Sequence, residues 1–103
     1  MKNSYESFWQ FYPDYLQEHK DKRCRALHYV GSTLVLLELL AWMVTGHISY
    51  LIAMPLTGYG FAWVGHFVFE RNRPATFRYP FYSLMGDWVM FFQAVTNRLR
   101  VPK

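Results

Sequence analysis

Cysteine is nearly missing from this 103-residue chain, in which Cys24 is the single example. One cysteine excludes an internal disulfide and a metal site made of cysteine alone. Because a lone cysteine is rarely reactive without a defined base, we interpret Cys24 as an inert thiol in a basic turn. Glycine-rich phosphate loops and recognisable nucleophile motifs are also missing, so the sequence indicates neither nucleotide binding nor covalent catalysis.

Formal charge is missing from one long stretch, Ile48 to Phe69, and an earlier stretch, Tyr29 to Gly46, contains only Glu38. Each has about 20 residues, the length at which a helix crosses ~30 Å of hydrocarbon. We therefore predict membrane spans at about 29–46 and 48–69. The short turn at Gly46 and His47 between them makes the two spans antiparallel.

The composition agrees with a membrane protein, since 52% of the residues are hydrophobic and 20% are aromatic. The net charge of +4 comes from basic residues that flank the apolar stretches, which indicates a membrane surface rather than nucleic acid. We expect no cleavable signal peptide, because the first 25 residues lack a short apolar core with a cleavage site. A bacterial inner membrane is favoured by the short chain, with the endoplasmic reticulum membrane as the eukaryotic alternative.

Two further segments complete a single all-α domain over residues 1–103. Ser4 to His19 carries aromatic residues at helical spacing, which predicts an amphipathic helix that lies at the interface or packs on the cytoplasmic end of the bundle. A charged connector over 20–25 is interpreted as a solvated turn. Pro80 to Val95 is apolar but precedes Arg98 and Arg100, so we favour a re-entrant or interfacial helix, with a third span as the alternative.

Helix geometry selects among the four histidines. The antiparallel hairpin places His28 beside His66, and His66 and Glu70 share a helix face at i and i+4. His47 lies about 28 Å from His28 along the helix, which excludes it from a shared site. His19 precedes His28 by nine positions and reaches the same place only if the connector bends.

These groups predict a metal site with His19, His28 and His66 as ligands and Glu70 as a ligand or a partner of one. Such a donor set suits non-haem Fe(II), and zinc fits it as well. The alternative is a structural cluster in which the same groups hydrogen-bond one another at the helix ends. Asp87, with Ser83 at i and i+4, either faces this site or belongs to a polar stripe.

A resemblance to a known family rests on several strings of the sequence. They are Phe8-Trp9-Gln10-Phe11-Tyr12-Pro13 with His19, Cys24-Arg25 with Leu27-His28, Gly65-His66-Phe67 with Glu70, and Asn72-Arg73-Pro74-Ala75-Thr76-Phe77 with Pro80, Ser83-Leu84 and Asp87. Over roughly residues 8–90 the chain resembles the family of small membrane proteins that includes the yeast 2-hydroxy fatty acid dioxygenase.

The resemblance implies Fe(II)-dependent α-oxidation of 2-hydroxy fatty acids with molecular oxygen, which shortens the acyl chain by one carbon. It places the family's histidines on His19, His28 and His66, with Glu70 and Asp87 as catalytic polar residues. Arg71, Asn72 and Arg73 are expected to bind the substrate. The alternative function is a non-enzymatic membrane scaffold or subunit, which would bind a partner or anionic lipid. A bis-histidine haem site is a weaker alternative, and an oligomer remains open.

Overall fold

Helices make up all the regular secondary structure of the computed structural model, which describes residues 4–101. The α-helices are, in chain order, α1 (Phe8–Gln17), α2 (Lys22–Thr45), α3 (Ile48–Val64) and α4 (Pro80–Val95). A π-helical turn at Gly65–Glu70 continues α3, and a 3-10 turn at Ala75–Phe77 precedes α4. No strand occurs within residues 4–101, so the prediction of an all-helical fold is confirmed.

Helices α2 and α3 form the predicted hairpin. Gly46 ends α2 with φ of 74°, a left-handed conformation that costs glycine little, and its N–H donates to the Trp42 carbonyl. His47 then occupies the N-cap position of α3. The helices approach closely at Gly31, where an added Cβ would lie 3.0 Å from the Cβ of Phe61.

Helix α2 begins at Lys22 rather than at the predicted Tyr29, so the interpretation of the charged connector as a turn is wrong from Lys22 onward. The cause is Asp21, whose Oδ1 accepts a hydrogen bond from the backbone N–H of Arg23 at 2.8 Å. An aspartate at the N-cap satisfies a donor that the helix cannot pair internally. The non-helical connector is therefore short, and it turns the chain sharply between α1 and α2.

Helix α1 packs its aromatic face on α4, while its predicted placement relative to a membrane stays a prediction. The rings of Phe11 and Tyr82 are 5.4 Å apart, and the Tyr12 hydroxyl donates to Oε1 of Gln93 at 2.6 Å. Tyr15 is fully buried against Gly86, where an added Cβ would lie 3.1 Å from the tyrosine ring. This packing brings the carboxyl end of α1 and the first half of α4 to the same end of the hairpin.

The surface of the hairpin is mostly apolar. Helix α2, and α3 together with its π-helical turn, are long and apolar enough to cross a membrane, yet only 22% and 17% of their most apolar windows are buried within the protein. Leu40, Val44 and Leu56 are 56%, 76% and 72% exposed. The 16 residues of α4 extend about 24 Å, which is shorter than the ~30 Å hydrocarbon core of a bilayer. Whether α4 spans a membrane or lies at its interface stays a prediction.

Candidate metal centre

Three histidines from three segments converge at the packed end of the hairpin. His19 follows α1, His28 lies on α2, and His66 lies on the π-helical turn. All three are buried, with 0%, 5% and 2% of their surface exposed. Nε2 of His19 lies 3.2 Å from Nε2 of His28 and 2.9 Å from Nε2 of His66. We call these three residues the histidine cluster.

The opposite nitrogen of each ring, Nδ1, faces an oxygen that can only accept a hydrogen bond. The pairs are His19 with the Tyr15 carbonyl at 2.7 Å, His28 with the Cys24 carbonyl at 2.8 Å, and His66 with Oδ1 of Asn72 at 2.7 Å. Each Nδ1 must therefore carry the proton. Each neutral ring then presents the lone pair of Nε2 to the centre of the cluster, which is how histidine ligands of metals are usually oriented.

The converging nitrogens fit a metal ion. Neutral imidazoles have no donor to place between Nε2 atoms only 2.9 and 3.2 Å apart, so the lone pairs oppose each other unless a cation lies between them. Nitrogens about 2.1 Å from one ion, at roughly right angles to each other, are about 3 Å apart. Burial lowers the pKa of His19 well below its usual value, and the positive charge that either neighbouring histidine would carry lowers it further. The cluster therefore favours the neutral form that binds metals.

The connector and the π-helical turn hold His19 and His66 in place. Arg25 donates from Nη1 to the carbonyls of His19 and Lys20, at 2.7 and 2.8 Å, which fixes the connector on the start of α2. The backbone N–H of Asn72 donates to the His66 carbonyl at 3.1 Å and closes the helix end. Arg71 adopts φ of 57° to turn the chain there. These contacts thus fix the backbone segments that carry the His19 and His66 rings.

Cys24 lies beside the histidine cluster, although we interpreted it from the sequence as an inert thiol. Its thiol is fully buried, and its Sγ lies 3.8 Å from Nδ1 of His28. One donor atom from each of Cys24 and the histidine cluster fits within 4.8 Å, so these four residues could hold a metal ion. The i, i+4 spacing of Cys24 and His28 was the available signal. It was missed because the helix was predicted to start after the cysteine.

Glu70 lies apart from the histidine cluster. Its Oε1 accepts a hydrogen bond from the backbone N–H of Asp21, and it is not among the four residues whose donor atoms lie together. The Glu70 carboxylate thus fixes the connector, and its predicted role at the metal stays a prediction. His47 is exposed in the far turn, as expected.

Asp87 approaches the histidine cluster from α4. Its Oδ1 lies 4.0 Å from Nε2 of His28 and accepts a hydrogen bond from the Tyr15 hydroxyl. Burial and the nearby carboxylate raise the pKa of Tyr15 well above its usual value, so this phenol stays a donor. Ser83, which was predicted to accompany Asp87, pairs instead with the Thr76 hydroxyl at 3.1 Å.

The three residues predicted to bind substrate have different surroundings. Arg71 and Arg73 are exposed at the end of the hairpin. Asn72 is half-buried and directed inward, where its Oδ1 faces His66 and its Nδ2 donates to the Glu18 carbonyl at 3.3 Å. Asn72 therefore orients His66. Of the three predicted residues, the exposed Arg71 and Arg73 are the ones that could bind a substrate carboxylate.

A cavity of about 360 Å³ lies between α2, α3 and α4 and reaches His28 of the histidine cluster. Its polar lining is concentrated at one end, where His28, Ser32 and Asp87 meet it. The remaining wall is mainly apolar and includes Val35 and Trp88. A cavity with one polar end and an apolar body suits a ligand with a polar head and a hydrocarbon chain.

Comparison with known families adds an independent observation. The chain matches the family described as 2-hydroxy-palmitic acid dioxygenase Mpo1-like over residues 5–99. It belongs to this Mpo1-like family. The match contains all four helices and the histidine cluster, and it confirms the resemblance found in the sequence. No curated protein and no solved structure matches the chain.

The description of the Mpo1-like family names a dioxygenase and a 2-hydroxy fatty acid. Both agree with the geometry at the packed end of the hairpin. The histidine cluster offers nitrogen donors to a metal, and the adjoining cavity has the polarity of a fatty acid with a polar head.

Proposed function

We propose that this protein is an Fe(II)-dependent dioxygenase that removes one carbon from 2-hydroxy fatty acids at a membrane surface. The observation that carries the proposal is the convergence of three Nε2 atoms, each oriented by an acceptor on Nδ1, at the polar end of an apolar cavity. Membership of the Mpo1-like family supports the substrate class.

His19, His28 and His66 would hold the iron through Nε2, while the Cys24 thiol lies buried beside Nδ1 of His28. Zinc fits the same nitrogen donors, but a dioxygenase needs a metal that exchanges electrons. When bound, Fe(II) supplies the one-electron and oxygen chemistry that amino acid side chains lack. The protein contributes the orientation of its ligands and a buried setting that keeps bulk water away.

The overall reaction balances with one molecule of oxygen. R–CH(OH)–COOH and O₂ give R–COOH, CO₂ and H₂O as the bond between C1 and C2 breaks. The substrate loses four electrons and oxygen gains them, so no separate reductant is required. Asp87 faces the cavity beside His28 and is the proposed acceptor of the proton of the 2-hydroxyl group, while Tyr15 holds it in place.

The exposed apolar surface of the hairpin supports insertion into lipid. Large side chains that protrude from α2 and α3, such as Leu37 at 56% and Ile52 at 61%, lack protein cover. Arg71 and Arg73 at the metal end would lie at the headgroup layer and attract the substrate carboxylate. The acyl chain would then enter the cavity from the membrane without crossing water.

Metal content and turnover test the proposal together. We expect detergent-purified wild type, loaded anaerobically with Fe(II), to hold near-stoichiometric iron and to convert 2-hydroxypalmitate to the fatty acid one carbon shorter. His66→Ala should lose the iron and the turnover because it removes one of three ligands. Elemental analysis and product analysis by mass spectrometry measure both.

His47→Ala is the matched control, because this exposed histidine lies in the turn farthest from the cluster. It should keep both iron and activity. The proposal would be contradicted if wild type bound no iron or if His66→Ala retained full turnover. The histidine cluster would then have a structural role. Membrane flotation of each variant shows whether it still inserts.

A further inference from the structure

One face of α3 lines the cavity at regular intervals. Ala62, Gly58 and Met54 all border it and follow one another at a spacing of four residues. Four residues rise about 6 Å along a helix, so the three positions cover about 12 Å. Ala62 lies one turn before His66, and Met54 lies farthest from the histidine cluster. The three residues therefore border the cavity at increasing distance from the histidine cluster.

The part of the cavity farthest from the histidine cluster has a mainly apolar wall. Val35 of α2 faces Gly58, and Pro55 accompanies Met54. His28, Ser32 and Asp87 line the other end, and Tyr59 joins Gly58 on the α3 wall. A fatty acid whose 2-hydroxy head lies at the histidine cluster would therefore extend its hydrocarbon along this wall.

Gly58 leaves space where another residue would fill it. A Cβ built there meets only one atom within 4 Å, Cγ2 of Val35 at 3.5 Å, which is ordinary van der Waals contact. A small side chain is therefore tolerated at this position, and a larger one extends into the cavity. The absent side chain keeps the middle of the cavity open.

We propose that Ala62, Gly58 and Met54 determine the length of acyl chain that the protein accepts, with Gly58 as the position that admits long chains. This inference rests on the proposed function for the identity of the substrate. Its physical content is separate, because it concerns which hydrocarbon fits the cavity. A larger side chain at position 58 should prevent long acyl chains from binding and leave the binding of short ones unchanged.

The test compares Gly58→Leu with Gly60→Leu. Both variants replace a glycine of α3 by leucine, but Gly60 borders a different surface and an added Cβ there meets nothing within 4 Å. Binding of radiolabelled 2-hydroxypalmitate and 2-hydroxyoctanoate is measured beside iron content and turnover. We expect Gly58→Leu to weaken 2-hydroxypalmitate at least about tenfold relative to 2-hydroxyoctanoate, since lost methylene contacts discriminate by that order. Gly60→Leu should behave as wild type.

Met54→Ala provides the opposite change and should improve binding of chains longer than 2-hydroxypalmitate. If Gly58→Leu fails to insert, Gly58→Ala replaces it, because its Cβ makes only ordinary contact. Equal effects of Gly58→Leu on both acids, with iron retained, would overturn the inference. A wild type that binds both acids without turning them over would defeat the proposed function, while selective binding would still support these length determinants.

Discussion

The two halves of the α2–α3 hairpin differ in what covers them. In the half that carries the histidine cluster, Cys24, His28 and Ala62 are at most 7% exposed, because α1 and α4 pack nearby. In the half that ends at the Gly46 turn, Met43 and Ile48 are 68% and 63% exposed. One pair of helices therefore has a protein-covered polar end and an uncovered apolar end.

This difference shows how a short chain can hold a buried polar site. Imidazole rings lose solvation when they are buried, and backbone carbonyls and Asn72 replace the lost hydrogen bonds on one side of each ring. The far half needs no such cover if lipid is its solvent. The protein thus packs α1 and α4 against the end of the hairpin where the chemistry is proposed.

The largest effect is expected at Gly65, in the covered half, where the π-helical turn packs directly on Cys24. A Cβ there would lie 3.0 Å from Sγ, 3.2 Å from Cα and 3.3 Å from the carbonyl oxygen of Cys24. Gly65→Leu should force α2 and the π-helical turn apart and lower the free energy of unfolding by about 3 kcal/mol. It should also abolish metal binding. Denaturant titration in detergent and iron content measure this.

Gly60→Leu is the control on the same helix, because its surroundings are open. It should change the free energy of unfolding by less than about 1 kcal/mol. Equal destabilisation by Gly65→Leu and Gly60→Leu would show that the two halves of the hairpin are packed alike.

A smaller effect is expected from Asn72, which supports the metal end without being a ligand. Asn72→Leu removes the oxygen that accepts from Nδ1 of His66, so the ring loses its fixed tautomer. Loss of such a partner costs about 10- to 100-fold in metal affinity. Competition with a metal chelator measures the affinity of wild type and variant.

Asn72→Asp keeps an acceptor oxygen at the same place and should recover most of the affinity. If Asn72→Leu binds iron as tightly as wild type, the hydrogen bond does not orient His66. If Asn72→Asp fails as badly as Asn72→Leu, the amide contributes through its bond to the Glu18 carbonyl instead.

Hydropathy and helix length were sufficient to predict the hairpin. The Gly46–His47 turn and the Pro80–Val95 helix lie where the sequence placed them, because proline, glycine and long apolar runs act through local geometry. The convergence of His19, His28 and His66 also follows from an antiparallel pair, once the connector bends.

The remaining parts of the site depend on contacts that local patterns do not contain. The early start of α2 depends on capping by Asp21, and this start places Cys24 on the same helix face as His28. The orienting role of Asn72 depends on a π-helical turn that regular helix geometry does not anticipate. Each error therefore arose at a helix end, where a single side chain decides the path of the backbone.

The smallest effect is expected at Glu38, the carboxyl group of the uncovered half. Its Oε2 accepts from the Thr57 hydroxyl at 3.0 Å, while its Oε1 is buried with no hydrogen-bond partner within residues 4–101. Ten residues separate Glu38 from His28, which is about 15 Å along α2. Glu38→Gln keeps an acceptor for Thr57 and should leave iron content and turnover within about twofold of wild type, because no contact links this group to the site. A clear loss of iron in Glu38→Gln, measured by the same elemental analysis, would mean that the two halves act as one unit and that the covered end alone does not define the site.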